Sequence, residues 1–147
     1  MRKNLARIAL SLLVISPVLA VPVEDYKYLS WDEVVMNAGG EGITANDAVQ
    51  GYKVYCRNPS IPDNAAQLSA INPIEVPNTP GAGRIQVTLD SLSLTEGDNW
   101  CAVTAWNLNN QGNPQEGDLS AWILVKKSQG RFRNLGVPAA PSSVRLE

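Results

Sequence analysis

The two cysteines, Cys56 and Cys101, are the most reactive side chains in this chain of 147 residues, which contains no histidine. A thiol acts as a nucleophile when a neighbour stabilises its thiolate, and histidine is the usual partner. Ser-His-Asp and Cys-His pairs and His-ligated metal sites are therefore excluded. The cysteines lack the Cys-x-x-Cys spacing of redox enzymes, and two are too few for a Cys₄ zinc site. The sequence predicts no catalytic residue, no cofactor and no metal.

Carboxylates near the ends of predicted strands are the other groups that could bind a metal or perform catalysis. They are Asp90, Glu96, Asp98, Glu116 and Asp118. Their spacing matches no regular calcium loop, so we interpret them as solvated turn residues. A carboxylate pair for glycoside hydrolysis is compatible with the sequence, but nothing in it indicates the deep cleft that such an enzyme needs. We expect a protein that is not an enzyme.

Three tryptophans, Trp100, Trp106 and Trp122, form a candidate binding face for a carbohydrate or a protein. Alternation along the strand places Trp100 and Trp106 on the face opposite to Cys101. Aromatic side chains on an outer face often mark contact surfaces. The alternative is that these rings pack under the long segment 58–83.

The first 20 residues, "MRKNLARIALSLLVISPVLA", have the pattern of a signal peptide. A basic start precedes an apolar run, and small residues at Val18 and Ala20 suit a signal peptidase. The run is too short for a comfortable membrane span, although a retained anchor is the alternative. Its removal takes away three of the 12 basic residues and none of the 14 acidic ones, which leaves an acidic chain. We therefore expect an exported protein that does not bind nucleic acid and has no membrane span after signal removal.

Short alternating runs separated by turn residues predict an all-β domain. The runs are 26–34, 49–57, 84–92, 100–107 and 119–127. Five prolines between residues 58 and 83 forbid a central strand there, and at most 74–76 makes an edge strand. Five or six short strands with turns at this spacing indicate a β-sandwich.

These strands resemble a fibronectin type III domain, an immunoglobulin-like sandwich, over residues 26–126. Trp31 in "LSW" matches the tryptophan of the family's second strand, and Tyr52-x-Val54-x-Cys56 matches its central strand. "NWCAVTAWN" (99–107) is similar to the family's sixth strand, with Asn99 in place of its corner tyrosine, and Leu92 is similar to the leucine before that strand.

The resemblance places Cys56 and Cys101 at inward positions of the third and sixth strands, which are neighbours in one sheet. It therefore implies a disulfide between them in an oxidising compartment. The alternative is a pair of buried free thiols.

The family's opening strand has no counterpart at the N-terminal end, because too few residues precede "LSW". The tail contains the missing pattern: Pro138 and Pro141, then Val144 and Leu146 on one face. In a type III sandwich the last strand leaves at the pole opposite to the start of the first. We therefore expect the tail to lie far from its own open edge and to fill that of a second copy. The alternatives are a disordered tail and a tail that packs along its own last strand.

The predicted organisation is a signal peptide (1–20), a type III-like domain (21–127), a linker (128–137) and a candidate donor strand (138–147). The hypothesis is a secreted or cell-surface structural protein whose partners are other copies of itself, joined head to tail in a filament or matrix. The alternative is a monomeric extracellular module that binds surface carbohydrate or protein through the tryptophan face.

Overall fold

The computed structural model describes residues 25–37, 39–45, 47–133 and 145–147. The predicted signal peptide lies outside the described residues, as do Pro138, Pro141 and Val144 of the candidate donor strand. The strands are β1 Tyr28–Asp32, β2 Gly51–Arg57, β3 Ile74–Pro77, β4 Arg84–Thr88, β5 Gly97–Leu108, β6 Pro114–Glu116, β7 Ile123–Ser128, β8 Arg131–Arg133 and β9 Arg145–Leu146. The helical elements are α1 Ala65–Ser69 and a 3₁₀ turn at Leu89–Leu92. The predicted all-β fold is confirmed.

The strands form two antiparallel sheets that enclose one core. One sheet has the order β4-β1-β9, and the other has the order β3-β2-β5-β7-β8, with β6 paired to β5. Alternation in β1 directs Leu29 and Trp31 inward, where they are 0% and 2% exposed. Trp31 meets Tyr52 of the opposite sheet edge to face, with ring centroids 5.4 Å apart. Each such buried side chain stabilises the fold by about 1.5–3 kcal/mol.

The predicted disulfide is confirmed. Cys56 and Cys101 lie directly opposite each other on β2 and β5, with Cα atoms 4.2 Å apart, and their sulfurs are bonded. The sequence separation is 45 residues. Closing a loop of this length lowers the entropy of the unfolded chain and stabilises the fold by about 4 kcal/mol in the ideal entropic account.

Asn99 tethers the turn that leads into β5. This side chain is 2% exposed. Its amide donates hydrogen bonds to the carbonyl oxygens of Thr95 (2.8 Å) and Gly97 (3.1 Å), and its Oδ1 accepts one from the Thr95 amide (3.2 Å). Asn99 therefore holds together the corner between the 3₁₀ turn and β5, because these buried polar groups satisfy one another.

The proline-rich stretch contains a short helix that the sequence did not predict. Helix α1 begins after Asn64, whose side chain accepts a hydrogen bond from the Gln67 amide at 2.9 Å. Asparagine is a favoured residue at this position because it satisfies an amide at the helix start. The edge strand predicted at 74–76 is present as β3, and Pro77 ends it.

Part of the predicted linker 128–137 is a strand. Gln129 and Gly130, both with positive φ, form a turn after β7, and the Glu96 carboxylate accepts hydrogen bonds from both of their amides. The chain then returns as β8 and pairs with β7. Phe132 is 5% exposed and joins the core. Burial of this one aromatic side chain explains why a segment that is otherwise polar adds a strand.

Candidate assembly site at the C-terminal strand

Strand β9 occupies the edge of the three-stranded sheet. It pairs antiparallel with β1, with Leu146 opposite Leu29 and Arg145 opposite Ser30. The main-chain oxygen of Glu147 accepts hydrogen bonds from the amides of Lys27 and Tyr28, each at 2.7 Å. The amide of Glu147 donates to the Tyr28 oxygen at 2.8 Å. The last three residues therefore satisfy backbone groups that an open edge would leave to solvent.

Strand β8 reverses the direction that the chain has in β7. The amide of Tyr26 donates to the Phe132 oxygen at 2.9 Å, which ties β8 to the segment before β1. Arg131 and Asp25 add an ion pair at 3.6 Å. The expectation that the tail lies far from its own open edge was therefore wrong for residues 145–147. That expectation assumed that the chain leaves the fold at the end of β7, whereas the β7–β8 turn sends it back.

The outer face of this sheet carries a polar clamp over β9. The Glu147 carboxylate forms an ion pair with Arg84 and accepts a hydrogen bond from Gln86 Nε2 at 2.7 Å. Both partners lie on β4, on the far side of β1. The clamp therefore passes over β1 at Ser30. This residue is paired with Gln86 of β4 on one side and with Arg145 of β9 on the other, and it is 0% exposed. A small side chain at position 30 lets the clamp close.

Leu146 provides the apolar part of the same contact. It faces inward, is partly buried and packs against the core cluster. The sequence predicted that Leu146 shares one face with Val144, which lies outside the described residues. The residues that the sequence did not single out are Arg84, Gln86 and Glu147. Alternation in the sequence could have indicated them. In "RIQ" and in "RLE", the polar residues alternate with an apolar residue and are therefore expected on the opposite face of the strand.

Trp100 and Trp106 of the candidate binding face do not lie side by side. Trp100 and Trp106 lie six residues apart on β5, which separates them by about 20 Å. Between them, Ala102 is 0% exposed and Thr104 is 3% exposed, so the outer face is covered there. Trp100, Trp106 and Trp122 are each half-buried.

Trp106 is one of the residues that line an open pocket of about 250 Å³. The pocket lies between the loop after β1 and the end of β6, and its polar lining includes Asn37, Asp47, Asn107 and Gln115. The Trp106 ring packs over Gly51, since a Cβ added there would come within 2.9 Å of Trp106 Nε1.

A polar network on the outer face of the larger sheet holds β6 against β5. The Glu116 carboxylate accepts hydrogen bonds from Tyr55 (2.5 Å) and Thr104 (2.6 Å), and Lys53 binds its other oxygen at 3.0 Å. Burial acts to raise the pKa of Glu116, but these hydrogen bonds and the Lys53 charge outweigh burial and lower it. Burial and the adjacent Glu116 carboxylate raise the pKa of Tyr55.

The predicted carboxylates serve separate local roles. Glu96 binds the β7–β8 turn, Glu116 holds β6, and Asp98 pairs with Lys126 at 3.8 Å. In the part of the chain that the structure describes, no three histidine, cysteine or acidic side chains are grouped to hold a metal. Within the same ranges, no helix has the length and apolar character needed to cross a membrane.

Comparison of the chain with protein-family models, with curated proteins and with solved structures finds no match.

Proposed function

We propose that this chain is an exported structural protein that assembles head to tail into an extracellular filament or matrix. In the assembly, the C-terminal strand of one copy fills the edge beside β1 in the next copy. One observation carries the proposal: Arg145–Leu146 forms the third strand of the β4-β1-β9 sheet, although residues 134–144 separate it from β8.

The contacts of β9 are suited to exchange between copies. They are an edge pairing over two residues, one inward leucine and an exposed clamp to β4. None of them depends on which copy supplies the strand, so a second copy can make the same contacts. Exchange of an identical element between copies is a low-cost route to association.

The strand of the same chain competes with that of a neighbour. A strand that is tethered to its own edge by a short connection has an effective local concentration on the order of millimolar. Assembly therefore requires a comparable protein concentration, as in a surface layer, or a condition that opens β9. If each copy donates its strand to the next copy and accepts one from the copy before, the contact is heterologous. Such a contact need not close into a ring, so copies can add to form a filament.

Strand order and the disulfide support the remaining parts of the proposal. The orders β4-β1-β9 and β3-β2-β5-β7-β8 support the resemblance to a fibronectin type III sandwich, in which β9 would take the place of the first strand. The Cys56–Cys101 bond is favoured in an oxidising compartment, as is the case for exported proteins. The basic and apolar pattern of residues 1–20 fits export by a signal peptide.

Cross-linking of two full-length single variants tests the exchange. Ser30 and Arg145 face each other across β1 and β9, and facing Cα atoms in such pairs are about 5.5 Å apart, within reach of a disulfide. We expect a chain with Ser30→Cys and an isotopically labelled chain with Arg145→Cys to form an interchain 30–145 bond when concentrated together. A chain with both substitutions is the control, because it reports the intrachain contact. Absence of the interchain bond at millimolar concentration would contradict the proposal.

Electron microscopy tests the form of the assembly. The cross-linked material should contain filaments, and deletion of residues 138–147 should abolish them. Closed dimers in place of filaments would show reciprocal exchange and would contradict the head-to-tail part of the proposal.

A monomeric binding module is the second candidate, favoured by the pocket beside Trp106. An aromatic ring surrounded by amide and carboxylate groups suits a carbohydrate. Glycan-array binding that is lost in Trp106→Ala and retained in Trp100→Ala would favour this function. No binding to glycans by a monodisperse protein would contradict it.

A further inference from the structure

One end of the sandwich exposes an apolar patch. It consists of Val34, Val35 and Met36 after β1 and Leu108 at the end of β5, and we call it the pole patch. Their exposed fractions are 37%, 59%, 60% and 38%. Val34, Met36 and Trp106 line the same pocket, which places the ends of β1 and β5 at one pole. Exposed apolar side chains that adjoin one another often mark an interaction surface.

The direction of β9 points to this pole. Strand β9 runs antiparallel to β1, and Arg145, the first residue of β9, faces Ser30, whereas Leu146 faces Leu29. Strand β9 therefore begins at the C-terminal end of β1 and runs toward its N-terminal end. The pole patch begins two residues beyond that end, at Val34.

The length of the connection limits how far away a donor can lie. Residues 134–144 join β8 to β9, and a fully extended connection of this length spans roughly 40 Å. This is about the size of one small domain. A copy whose body lies against the pole from which its strand enters is within this reach.

We infer that the pole patch is the surface on which the body of the donating copy packs, an inference that rests on the proposed strand exchange. The occupant is a second copy of this chain. Its body covers Val35, Met36 and Leu108 while its C-terminal strand runs past them to β1. Strand β9 makes the same contacts whether it comes from the same chain or from a second copy. Burial of the pole patch occurs only between two copies, and it therefore favours assembly over pairing within the single chain.

A charge placed in the patch tests the inference in the full-length chain. Met36→Asp is introduced into the Ser30→Cys chain, which accepts the strand, and the interchain 30–145 bond that this chain forms with the labelled Arg145→Cys chain is quantified by mass spectrometry. We expect about a tenfold lower yield, because a charge must be desolvated in the contact. Ile61→Asp in the same acceptor chain is the matched control, since Ile61 is 36% exposed and follows β2 at the opposite pole, away from the donor. It should leave the yield unchanged.

The intrachain bond in the double-cysteine chain separates folding from assembly. It should form equally well with and without Met36→Asp. The inference would be overturned if Met36→Asp did not lower the interchain yield, or if Ile61→Asp lowered it equally. Either result would leave the strand exchange itself supported. Absence of the interchain bond in the chains without either aspartate would instead contradict the strand exchange itself.

Discussion

Strands β2 and β5 and strands β1 and β9 are both antiparallel neighbours, but very different interactions hold them. The β2–β5 pair runs over seven residues and is joined by a disulfide, and the Glu116 network lies on its outer face. The β1–β9 pair runs over two residues and is closed by an exposed clamp. We therefore expect the first pair to stay closed until the domain unfolds, and the second pair, which the proposed exchange treats as a joint, to open while the rest stays folded.

Removing the disulfide should have the largest effect and should act on the whole domain. Replacement of Cys56 and Cys101 by alanine should lower the free energy of unfolding by about 2–4 kcal/mol, because the unfolded chain regains the entropy of a 45-residue separation. Urea denaturation of the oxidised parent and the variant measures the difference. If the contrast between the two pairs is correct, the intrachain 30–145 bond still forms in the folded variant.

Leu146→Asp should open the joint while the domain stays folded. The aspartate would have to lose water where Leu146 now meets the core, at a cost of about 2 kcal/mol. We expect faster amide hydrogen exchange at Lys27 and Tyr28, which donate to the Glu147 oxygen, and unchanged exchange along β5. Leu146→Met is the control and should behave as the parent. Equal acceleration in β5 would show that β9 is part of one cooperative unit with the core.

The stability of the larger sheet should depend on pH through Glu116 and Tyr55. The pKa of Glu116 is lowered in the fold, so its contribution is present above the unfolded value of about 4.3 and is lost as the pH falls through the folded pKa. The pKa of Tyr55 is raised, so its contribution is present below about pH 10 and is lost as the pH rises above it.

Glu116→Gln should therefore lower the free energy of unfolding by about 1 kcal/mol at neutral pH. At acid pH the variant should lose less of its free energy of unfolding than the parent does. Tyr55→Phe should remove part of the loss at alkaline pH. Thermal unfolding from pH 3 to pH 11 measures both effects. A parallel pH profile for parent and Glu116→Gln would contradict the role of this carboxylate.

Much of the sandwich could be predicted from alternation alone. Runs such as Tyr52-x-Val54-x-Cys56 are long enough to fix both the strand and its inward face, and β5 followed from the same pattern. Strand β8 was missed because "RFR" has only one apolar residue, and its burial depends on Tyr26, more than 100 positions away in the chain. Short strands are specified by their partners more than by their own residues.

Only part of the candidate assembly site could be predicted, because its contacts also depend on residues far apart in the chain. The alternation of the last residues indicated that Leu146 shares one face with Val144, but the direction of the chain depended on the unexpected β7–β8 turn. The ion pair between Arg84 and Glu147 joins residues 63 positions apart, which no local pattern reveals. Spacing placed Trp100 and Trp106 on one face, yet six residues of extended strand keep their rings apart.

The smallest expected effect concerns the clamp. Glu147→Gln keeps the size of the side chain and its bond to Gln86 but removes the charge that pairs with Arg84, whose side chain is 48% exposed. Exposed pairs contribute about 0.2–1 kcal/mol, so hydrogen exchange at Tyr28 should accelerate by a factor of roughly 1.4 to 5. In the parent, the same exchange should accelerate at high salt, because exposed charges are screened, whereas the variant should respond little. An equal salt response in both proteins would show that the clamp acts through its hydrogen bond to Gln86 and not through charge. The joint would then be insensitive to ionic strength, and the release of β9 for exchange would depend on Leu146 and the backbone pairing alone.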